Sequence, residues 1–567
     1  MVAGGPAGDA ALDEERDVAG TGRGPGATAN GAPGGRPSTA VLTVASRELA
    51  EPAPLDRVER RQLDIVRRFG TVGSLLLAVG ALGAGASPVN NPVQGMRLLG
   101  LPARMPTASL AVAYAGVIMI VLAWLALGRL ARPGRPRLVS RRQLDRTLVM
   151  WVTPLALAPP MFSRDIYSYL AQTEIANLGM DPYQVGPVDA LGPDHPLTQG
   201  VPNIWRDTPA PYGPAFLTMS RVIAWAAGDN VVLGILLHRV FALAGVALIM
   251  WALPRLARRC GVRPVSALWL GAANPLVLFH LVSGIHNEAL MIGLMLAGFE
   301  IALRNNRIAT VVTGALVITT GAAVKITAAP ALGFLGAALA RRRGGRVADL
   351  VRIALLLTAV FVAGTTAWSL FSGLGFGWLQ TLDTANKVRS WISPSTALGM
   401  LGGGLGILLG LGNHSDQVVD LTRVIGQATS AVIMLGLLWL SFRSWRHHRA
   451  REPLAALGVA LGAVILLGPV VHPWYLLWAA IPLGAATTSP RFRAAATVIT
   501  VVLALVVPPT GAAFDNRAYV MPQAIVAAVI VVALALVVVR KVILPAGFPT
   551  AFPAGAPRPA ATGDPAG

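Results

Sequence analysis

The sequence is poor in charge and nearly free of lysine and cysteine. Only 13% of its 567 residues are charged, and lysine occurs only at Lys325, Lys387 and Lys541. Its single cysteine, Cys260, excludes a disulfide within the chain. No apolar leader segment is visible near the start. The glycine-rich stretches lack the features of a nucleotide-binding loop. If the protein transfers a group outside the cell, we therefore expect a donor that is not a nucleotide.

Apolar residues dominate what is present. Hydrophobic residues make up 54% of the chain, and mean hydropathy is +0.60. Apolar runs of roughly 20 residues recur from Phe69 to Lys541, and this is the length of a membrane-spanning helix. Arginine clusters between the runs account for the net charge of +20, a pattern typical of cytoplasmic loops. The sequence therefore predicts an all-α polytopic membrane protein whose partner is the lipid bilayer, with no nucleic acid.

Charge placement predicts about 13 to 14 spans and puts both ends of the chain in the cytoplasm. Residues 1–60 and 545–567 are expected to be disordered cytoplasmic tails that flank a transmembrane domain over residues 61–544. The spans are expected at about 69–87, 108–130, 146–161, 230–253, 264–282, 287–303, 308–324, 326–340, 349–371, 417–441, 453–470, 473–488, 492–508 and 523–540.

Two further apolar segments are ambiguous. If residues 212–227 crossed the membrane, the Arg cluster at 255–263 would fall outside, so we expect a re-entrant or interfacial helix there. Residues 395–411 are glycine-rich and are also expected not to cross fully, which keeps the later Arg cluster at 443–451 inside.

The loop 162–211 is expected to face outward and to carry the chemistry. Asp165 lies at the mouth of the third span, where a carboxylate is costly and is therefore interpreted as functional. The same carboxylate could instead cap a helix beginning near Ile166. The residues alone leave both readings open.

Other polar and aromatic residues are expected to collect on the outer face with Asp165. Aromatic rings, cations and a base are what a site for a sugar and a lipid phosphate needs. Each also has a structural alternative: a membrane-interface belt for the aromatic residues, a surface pair for His286 and Glu288, a helix start for His472, and a snorkelling side chain for Lys325. The candidates are Arg164, Tyr167, Tyr183, Tyr212, His286, Asn287, Glu288, Lys325, Lys387, Arg389, His472, Trp474 and Tyr475.

No pattern of metal ligands occurs in the outer loop, which has no HExxH, no Cys pair and no Asp-x-Asp. We expect no cofactor, and the sequence leaves metal dependence open.

Several motifs resemble a known family. Residues 163–169 (Ser-Arg-Asp-Ile-Tyr-Ser-Tyr) are similar to the first-loop signature of actinobacterial polyprenol-phosphomannose-dependent α-1,6-mannosyltransferases. So are Asp-Pro-Tyr-Gln-Val-Gly-Pro at 181–187, Pro-Tyr-Gly-Pro at 211–214, Asn-Pro-Leu at 274–276, His-Asn-Glu at 286–288 and His-Pro-Trp-Tyr at 472–475. The similarity extends from about residue 60 to 540.

This resemblance implies a GT-C glycosyltransferase fold with juxtamembrane helices in the first large outer loop. It also implies a polyprenyl phosphomannose donor, a mannan glycolipid acceptor of the lipomannan type, and a base role for Asp165. On this basis we expect an inverting mannosyltransferase whose base is Asp165, with Lys325, Lys387, Arg389 and Arg164 as candidates to stabilise the leaving phosphate.

Three rival functions remain. They are an α-1,2-mannosyltransferase, another lipid-phosphate-sugar transferase, and a lipid or glycan transporter. A transporter would be favoured by an internal repeat and polar residues at the midplane. Neither is visible in the sequence.

Overall fold

Twenty α-helices and two short strands are present in the part of the chain that the computed structural model describes, residues 52–388, 390, 392–443, 452–511 and 520–540. All of these residues belong to one unit, which extends from Glu48 to Gly567. The strands β1 (Ala53–Pro54) and β2 (Arg137–Leu138) pair in parallel.

The first ten helices lie between Arg57 and Gly271. They are α1 (Arg57–Ala84), α2 (Leu101–Arg104), α3 (Pro106–Ala131), α4 (Arg141–Leu157), α5 (Asp165–Asn177), α6 (Pro187–Leu191), α7 (Pro196–Gly200), α8 (Pro214–Ala227), α9 (Val231–Arg259) and α10 (Pro264–Gly271). The remaining ten are α11 (Glu288–Ala302), α12 (Ile308–Val324), α13 (Pro330–Arg342), α14 (Val347–Phe371), α15 (Pro394–Leu408), α16 (Ser415–Arg443), α17 (Pro453–Leu467), α18 (Leu476–Ala486), α19 (Pro490–Val506) and α20 (Met521–Val538).

Short π-helical and 3₁₀ segments complete the secondary structure. Val277–Ser283 forms a π-helical segment, and the 3₁₀ turns are Asn203–Trp205, Ile326–Ala328, Gly377–Lys387 and Pro473–Tyr475.

The predicted fold class is confirmed, since the described residues form an apolar helical bundle. Six of the described helices, α1, α3, α9, α14, α16 and α20, are long and apolar enough to cross a membrane. The bent pair formed by the π-helical segment and α11 makes up to seven, and α12, α15 and α17 are shorter apolar helices. The expected total of 13 to 14 spans stays a prediction, as does the expectation that α8 and α15 do not fully cross.

The N-terminal boundary of the folded part lies slightly earlier than expected. Helix α1 begins at Arg57, where Asp56 and Glu59 form a capping box. Arg137 also pairs with Asp56 at 3.0 Å next to the two strands. The expected tails fall largely outside the described residues, which omit 1–51 and 541–567, as does most of the Arg cluster at 443–451.

The expected continuous span at 264–282 is broken in the structure. Helix α10 ends at Gly271, and the π-helical segment begins only at Val277. Pro275 has no backbone N–H and disfavours helical geometry in the residue before it. The side chain of Asn274 accepts a hydrogen bond from the Leu276 N–H at 2.8 Å and stabilises the break. The segment then bends by 107° into α11.

Two close packing contacts hold the centre of the bundle. Trp124 of α3 and Trp269 of α10 stack at 4.9 Å, and each indole N–H donates to the carbonyl oxygen of the other residue. Gly298 of α11 and Gly314 of α12 pack backbone to backbone, leaving no room for a Cβ atom. Small residues permit this approach between apolar helices. The contact fixes α11, whose first residue is Glu288.

Candidate active site

Two distant chain segments meet at the N-terminus of α5. The Met161 N–H donates to the Ser283 carbonyl oxygen at 3.1 Å, and the rings of Phe162 and Phe279 stack at 4.7 Å. Phe162 and Ile285 are the non-glycine residues with positive φ in the described chain, at 63° and 57°. Such conformations are strained for residues with a Cβ atom and often occur at functional sites. Here they place Asp165 and His286 side by side.

Four polar side chains, of which the middle two are fully buried, form a row from Asp165 to Lys325. The Nδ1 atom of His286 lies 3.4 Å from Oδ2 of Asp165 and 3.8 Å from Oε2 of Glu288. Glu288 in turn forms an ion pair with the Nζ atom of Lys325. The His286 and Glu288 side chains are 0% and 1% exposed, whereas Asp165 and Lys325 retain 17% and 16%. Only the two ends of the row therefore reach solvent or a substrate.

An aromatic frame surrounds these groups. The Trp474 ring stacks between His286, at 3.9 Å, and His472, at 4.6 Å. The Nζ atom of Lys325 lies 4.6 Å from the centre of the Tyr475 ring and 5.3 Å from that of Trp478. Cation–π contacts of this kind hold an ammonium group in a desolvated place.

Asp165 lies where two cavities adjoin. The smaller, of about 210 Å³, is lined by Asp165, Glu288 and Lys325 with several aromatic side chains. The larger, of about 750 Å³, contains Asp165, Arg164, Gln199, Asn203 and Arg206 among its lining residues. Trp205, His472 and Trp474 line both cavities. The Asp165 carboxylate thus lines both cavities.

The charges near Asp165 keep it ionised. Burial alone would raise the pKa of this carboxyl, but His286, His472 and Lys325 together hold the pKa below its ordinary value. Burial also lowers the pKa of His472 to about 4, so that imidazole is neutral at physiological pH. A carboxylate that stays charged at physiological pH is in the protonation state that a general base requires.

The capping alternative for Asp165 is not what the structure shows. Arg164 occupies the N-cap position of α5 and makes no side-chain cap, and Asp165 is the first helical residue. The Asp165 carboxylate lies beside His286 instead of capping its own helix. Likewise His286 and Glu288 do not form a surface pair, because both are buried. Lys325 has the acidic partner, Glu288, that its sequence neighbours do not supply.

The structure brings many of the sequence candidates together and places others elsewhere. Tyr212, Glu288, Lys325, His472, Trp474 and Tyr475 line the smaller cavity with Asp165, and Arg164 lines the larger one. Asn287 is buried beside them, with its N–H 3.4 Å from the Tyr169 hydroxyl oxygen. Tyr167 is buried and donates to the Ala86 carbonyl oxygen, while Tyr183 packs in a separate apolar cluster with Trp378. Lys387 is exposed and lines neither cavity. Arg389 lies outside the described residues.

Several lining residues were not among the sequence candidates. Trp205 touches both cavities, and Ser168, Tyr169, Gln172 and Trp478 line the smaller one. Ser168 and Tyr169 stand within the signature that contains Asp165. Trp478 follows Trp474 by four residues, so helical spacing alone would have predicted that the two rings lie on the same face. Trp205 had no comparable signal. In the described part of the chain, no group of three or more His, Cys, Asp and Glu residues could hold a metal ion.

The fold defines the class of the protein as an all-α polytopic membrane protein, and comparisons with known proteins identify its family. The model described as "Alpha-(1->6)-mannopyranosyltransferase, N-terminal domain" matches residues 67–341, and that of the MptB C-terminal domain matches residues 395–537. The chain belongs to the α-(1→6)-mannopyranosyltransferase family.

Curated relatives cover nearly the whole chain. It is 48% identical over 539 residues to a probable alpha-(1→6)-mannopyranosyltransferase of Mycolicibacterium smegmatis, covering 90% of this chain and 95% of that protein. It is 44% identical over 519 residues to an alpha-(1→6)-mannopyranosyltransferase of Mycobacterium tuberculosis, covering 83% and 87%. For alpha-(1→6)-mannopyranosyltransferase B of Corynebacterium glutamicum the identity is 40%, covering 75% and 73%. No solved structure matches the chain.

Proposed function

We propose that this protein is an inverting mannosyltransferase that moves mannose from polyprenyl phosphomannose to the α-(1→6)-mannan core of a lipomannan-type glycolipid on the extracytoplasmic face. The observation that carries the proposal is the position of Asp165, a single buried carboxylate accessible from two adjoining cavities. A one-step transfer needs the donor C1 beside the acceptor hydroxyl and the base within reach of that hydroxyl, and two cavities that meet at one carboxylate suit this requirement.

The smaller cavity suits the donor. Its cation is Lys325, and the walls contributed by Val464, Ile465 and Trp478 are apolar or aromatic. A lipid phosphate needs a positive charge for its head and apolar surface for its first isoprene units. The Glu288 carboxylate that pairs with Lys325 fixes the ammonium position before the donor arrives.

The larger cavity suits the acceptor glycan. Arg164, Gln199, Asn203, Arg206 and Ser390 provide polar groups, and Trp205 and Trp474 provide rings. Sugars bind through hydrogen bonds to their hydroxyl groups and through packing of their apolar faces on aromatic rings. A cavity of about 750 Å³ can accommodate more than one sugar ring.

The proposed reaction is a direct displacement at the anomeric carbon. The acceptor 6-hydroxyl oxygen forms a bond to C1 as its proton passes to Asp165. The bond between C1 and the phosphate oxygen breaks, and the polyprenyl phosphate leaves with the electron pair. Lys325 stabilises the charge on that phosphate. A β-linked donor then gives an α-linked product, and no nucleotide is consumed.

Asp165→Asn is the direct test, since the amide keeps the shape of the carboxylate and cannot accept the proton. We expect the turnover of purified, reconstituted protein with polyprenyl phosphomannose and a mannan glycolipid to fall roughly 10²- to 10⁴-fold. Asp181→Asn, in the same loop but lining neither cavity, is the matched control and should retain turnover. Near-normal transfer by the Asp165 variant would contradict the assignment. Linkage analysis of the product tests the α-(1→6) bond, and a nucleotide-linked mannose should not replace the donor.

A further inference from the structure

His286 is completely buried and does not line either cavity beside Asp165. Its Nδ1 atom faces Asp165 at 3.4 Å and Glu288 at 3.8 Å, and one face of its ring is covered by Trp474. A substrate in either cavity would touch Asp165 and Trp474 but not this imidazole. Direct contact with sugar or phosphate is therefore not its role.

Burying a polar ring is unfavourable unless its nitrogen atoms have partners. An apolar side chain of similar size would fill the same space without that cost. Both groups facing Nδ1 are carboxylates, so the tautomer that protonates Nδ1 is favoured. Nδ1 lies 3.4 Å from the Asp165 carboxylate without forming a hydrogen bond in the structure, so an Nδ1–H would have this carboxylate as its nearest acceptor.

The backbone adds a second, independent indication. The residue before His286, Ile285, has φ of 57°, and Phe162, close before Asp165, has φ of 63°. Each such conformation is sterically unfavourable for a residue with a Cβ atom. The Met161 N–H to Ser283 carbonyl hydrogen bond joins the two strained turns directly. Strain at both turns, fixed to one another, positions the carboxylate against the imidazole.

We propose that His286 is a positioning residue that orients the Asp165 carboxylate, with Trp474 fixing the plane of the imidazole ring. This inference rests on the proposed function, because it assigns His286 a role only in a reaction whose base is Asp165. The acceptor proton still goes to Asp165, and His286 neither bonds to a substrate nor exchanges a proton with one. Its contribution is to the geometry and charge of the base.

The expected pH effect depends on every group around the base. The titratable or charged groups that act on Asp165, are acted on by it or face His286 come from several chain segments and are Tyr169, Tyr212, His280, His286, Glu288, Lys325, His472 and Tyr475. Removing His286 removes one of the groups that lower the pKa of Asp165 and leaves the effect of burial, which raises it. The acidic limb of the turnover profile should therefore move to higher pH.

The test compares three variants of the full chain, reconstituted and assayed from pH 8 down to below pH 3.8, the ordinary pKa of an Asp carboxyl, so that the whole acidic limb is measured. We expect His286→Leu to lower kcat roughly ten- to hundredfold, to leave KM for donor and acceptor nearly unchanged and to move the acidic limb upward. His286→Asn retains an amide N–H near the Nδ1 position, and it should recover part of kcat and return the limb toward its original pH. Recovery by Asn keeps the test decisive even if the Leu variant is poorly folded.

His280→Leu is the matched control. His280 is equally buried and lies 5.4 Å from Trp474 and 6.0 Å from His286, ring to ring. It has no short contact with Asp165, so its loss disturbs the same packing without touching the base. Its acidic limb should stay in place.

The remaining outcomes distinguish a failure of this inference from a failure of the proposed function. If His286→Leu keeps the normal kcat and acidic limb while Asp165→Asn is inactive, His286 only fills space and this inference falls alone. The same holds if His280→Leu shifts the limb equally. If Asp165→Asn is active, the proposed function falls first, whatever the His286 variants do.

Discussion

Asp165 and Lys325 are the exposed ends of one row of polar side chains, and their partners decide what each can do. Lys325 is held by the Glu288 carboxylate and by two aromatic rings, so its ammonium group stays at the wall of the smaller cavity. A donor phosphate would meet a cation already in place, which avoids the entropy cost of ordering a long side chain. Lys325 therefore acts as a fixed charge.

Replacement of Lys325 tests the donor site at the residue scale. Lys325→Gln removes the charge while keeping most of the length, and it leaves both the Glu288 carboxylate and a donor phosphate without a cation. We expect KM for polyprenyl phosphomannose to rise by roughly tenfold or more, with a smaller change for the acceptor. Steady-state kinetics with each substrate varied in turn measures this.

Lys387→Gln provides the comparison for Lys325, since Lys387 is exposed and lines neither cavity. Its effect on donor KM should be the smaller of the two. An equal or larger effect at Lys387, or a change confined to acceptor KM at Lys325, would place the phosphate elsewhere.

At the scale of elements, one irregular connection and one close helix contact place this row of polar side chains. The break after α10, the π-helical segment and its 107° bend into α11 carry His286 and Glu288 into the bundle. The backbone contact between Gly298 and Gly314 then fixes α11 against α12, after which the chain reaches Lys325. The Glu288–Lys325 ion pair depends on the distance between these two helices.

Gly314→Ala tests that dependence. A Cβ atom at this position would lie within 3 Å of the Gly298 carbonyl oxygen and of Ala302, so the helices must separate. We expect a stability loss of about 1–3 kcal/mol, seen as a lower midpoint of thermal unfolding, together with a reduced rate of transfer.

Gly404→Ala is the control for the helix contact. Gly404 lies within α15 with open space around it, so alanine there should be neutral or stabilising by about 0.5–1 kcal/mol. If Gly314→Ala is equally harmless, the close approach of α11 and α12 is not required.

At the scale of the whole molecule, the length of helix α11 separates the candidate site from an Arg–Glu ion pair. Helix α11 runs from Glu288, in the site, to Glu300, which pairs with Arg259. About three helical turns lie between the two carboxylates, or roughly 18 Å. The Arg259–Glu300 pair is thus about 18 Å along the helix from Glu288, and the proposed orientation puts the two on opposite sides of the membrane.

Cysteine labelling tests the proposed orientation. After Cys260 is replaced, a cysteine introduced as Gln184→Cys, in the loop that contains Asp165, should react with an impermeant reagent added outside intact cells. A cysteine introduced as Arg258→Cys should react only after the membrane is permeabilised. Both native residues are exposed in the structure, so reactivity reports sidedness. Outside labelling at position 258 would mean that α8 crosses the membrane, and it would invert the charge assignment.

The sequence predicted several features of this protein well. Helix α12 begins and ends where the apolar run does, and most of the long helices match their predicted spans within a few residues. The sequence also indicated Asp165 and the aromatic motif at 472–475 as candidate site residues, because each interrupts an apolar pattern locally. The apolar run at 264–282 predicts one continuous span, whereas Pro275 interrupts the helix there.

By itself the sequence determined the class of the protein, its membrane-length helices and the residue types that could perform transfer, because hydrophobicity, charge and motif spacing are local properties. Only the tertiary structure decided which of those residues meet. It joined Asp165 to His286 and Glu288 to Lys325, and it separated Tyr167 and Tyr183 from the cavities. These relations depend on strained turns, a bent helix pair and a glycine contact between residues far apart in the chain. No local pattern records such long-range packing.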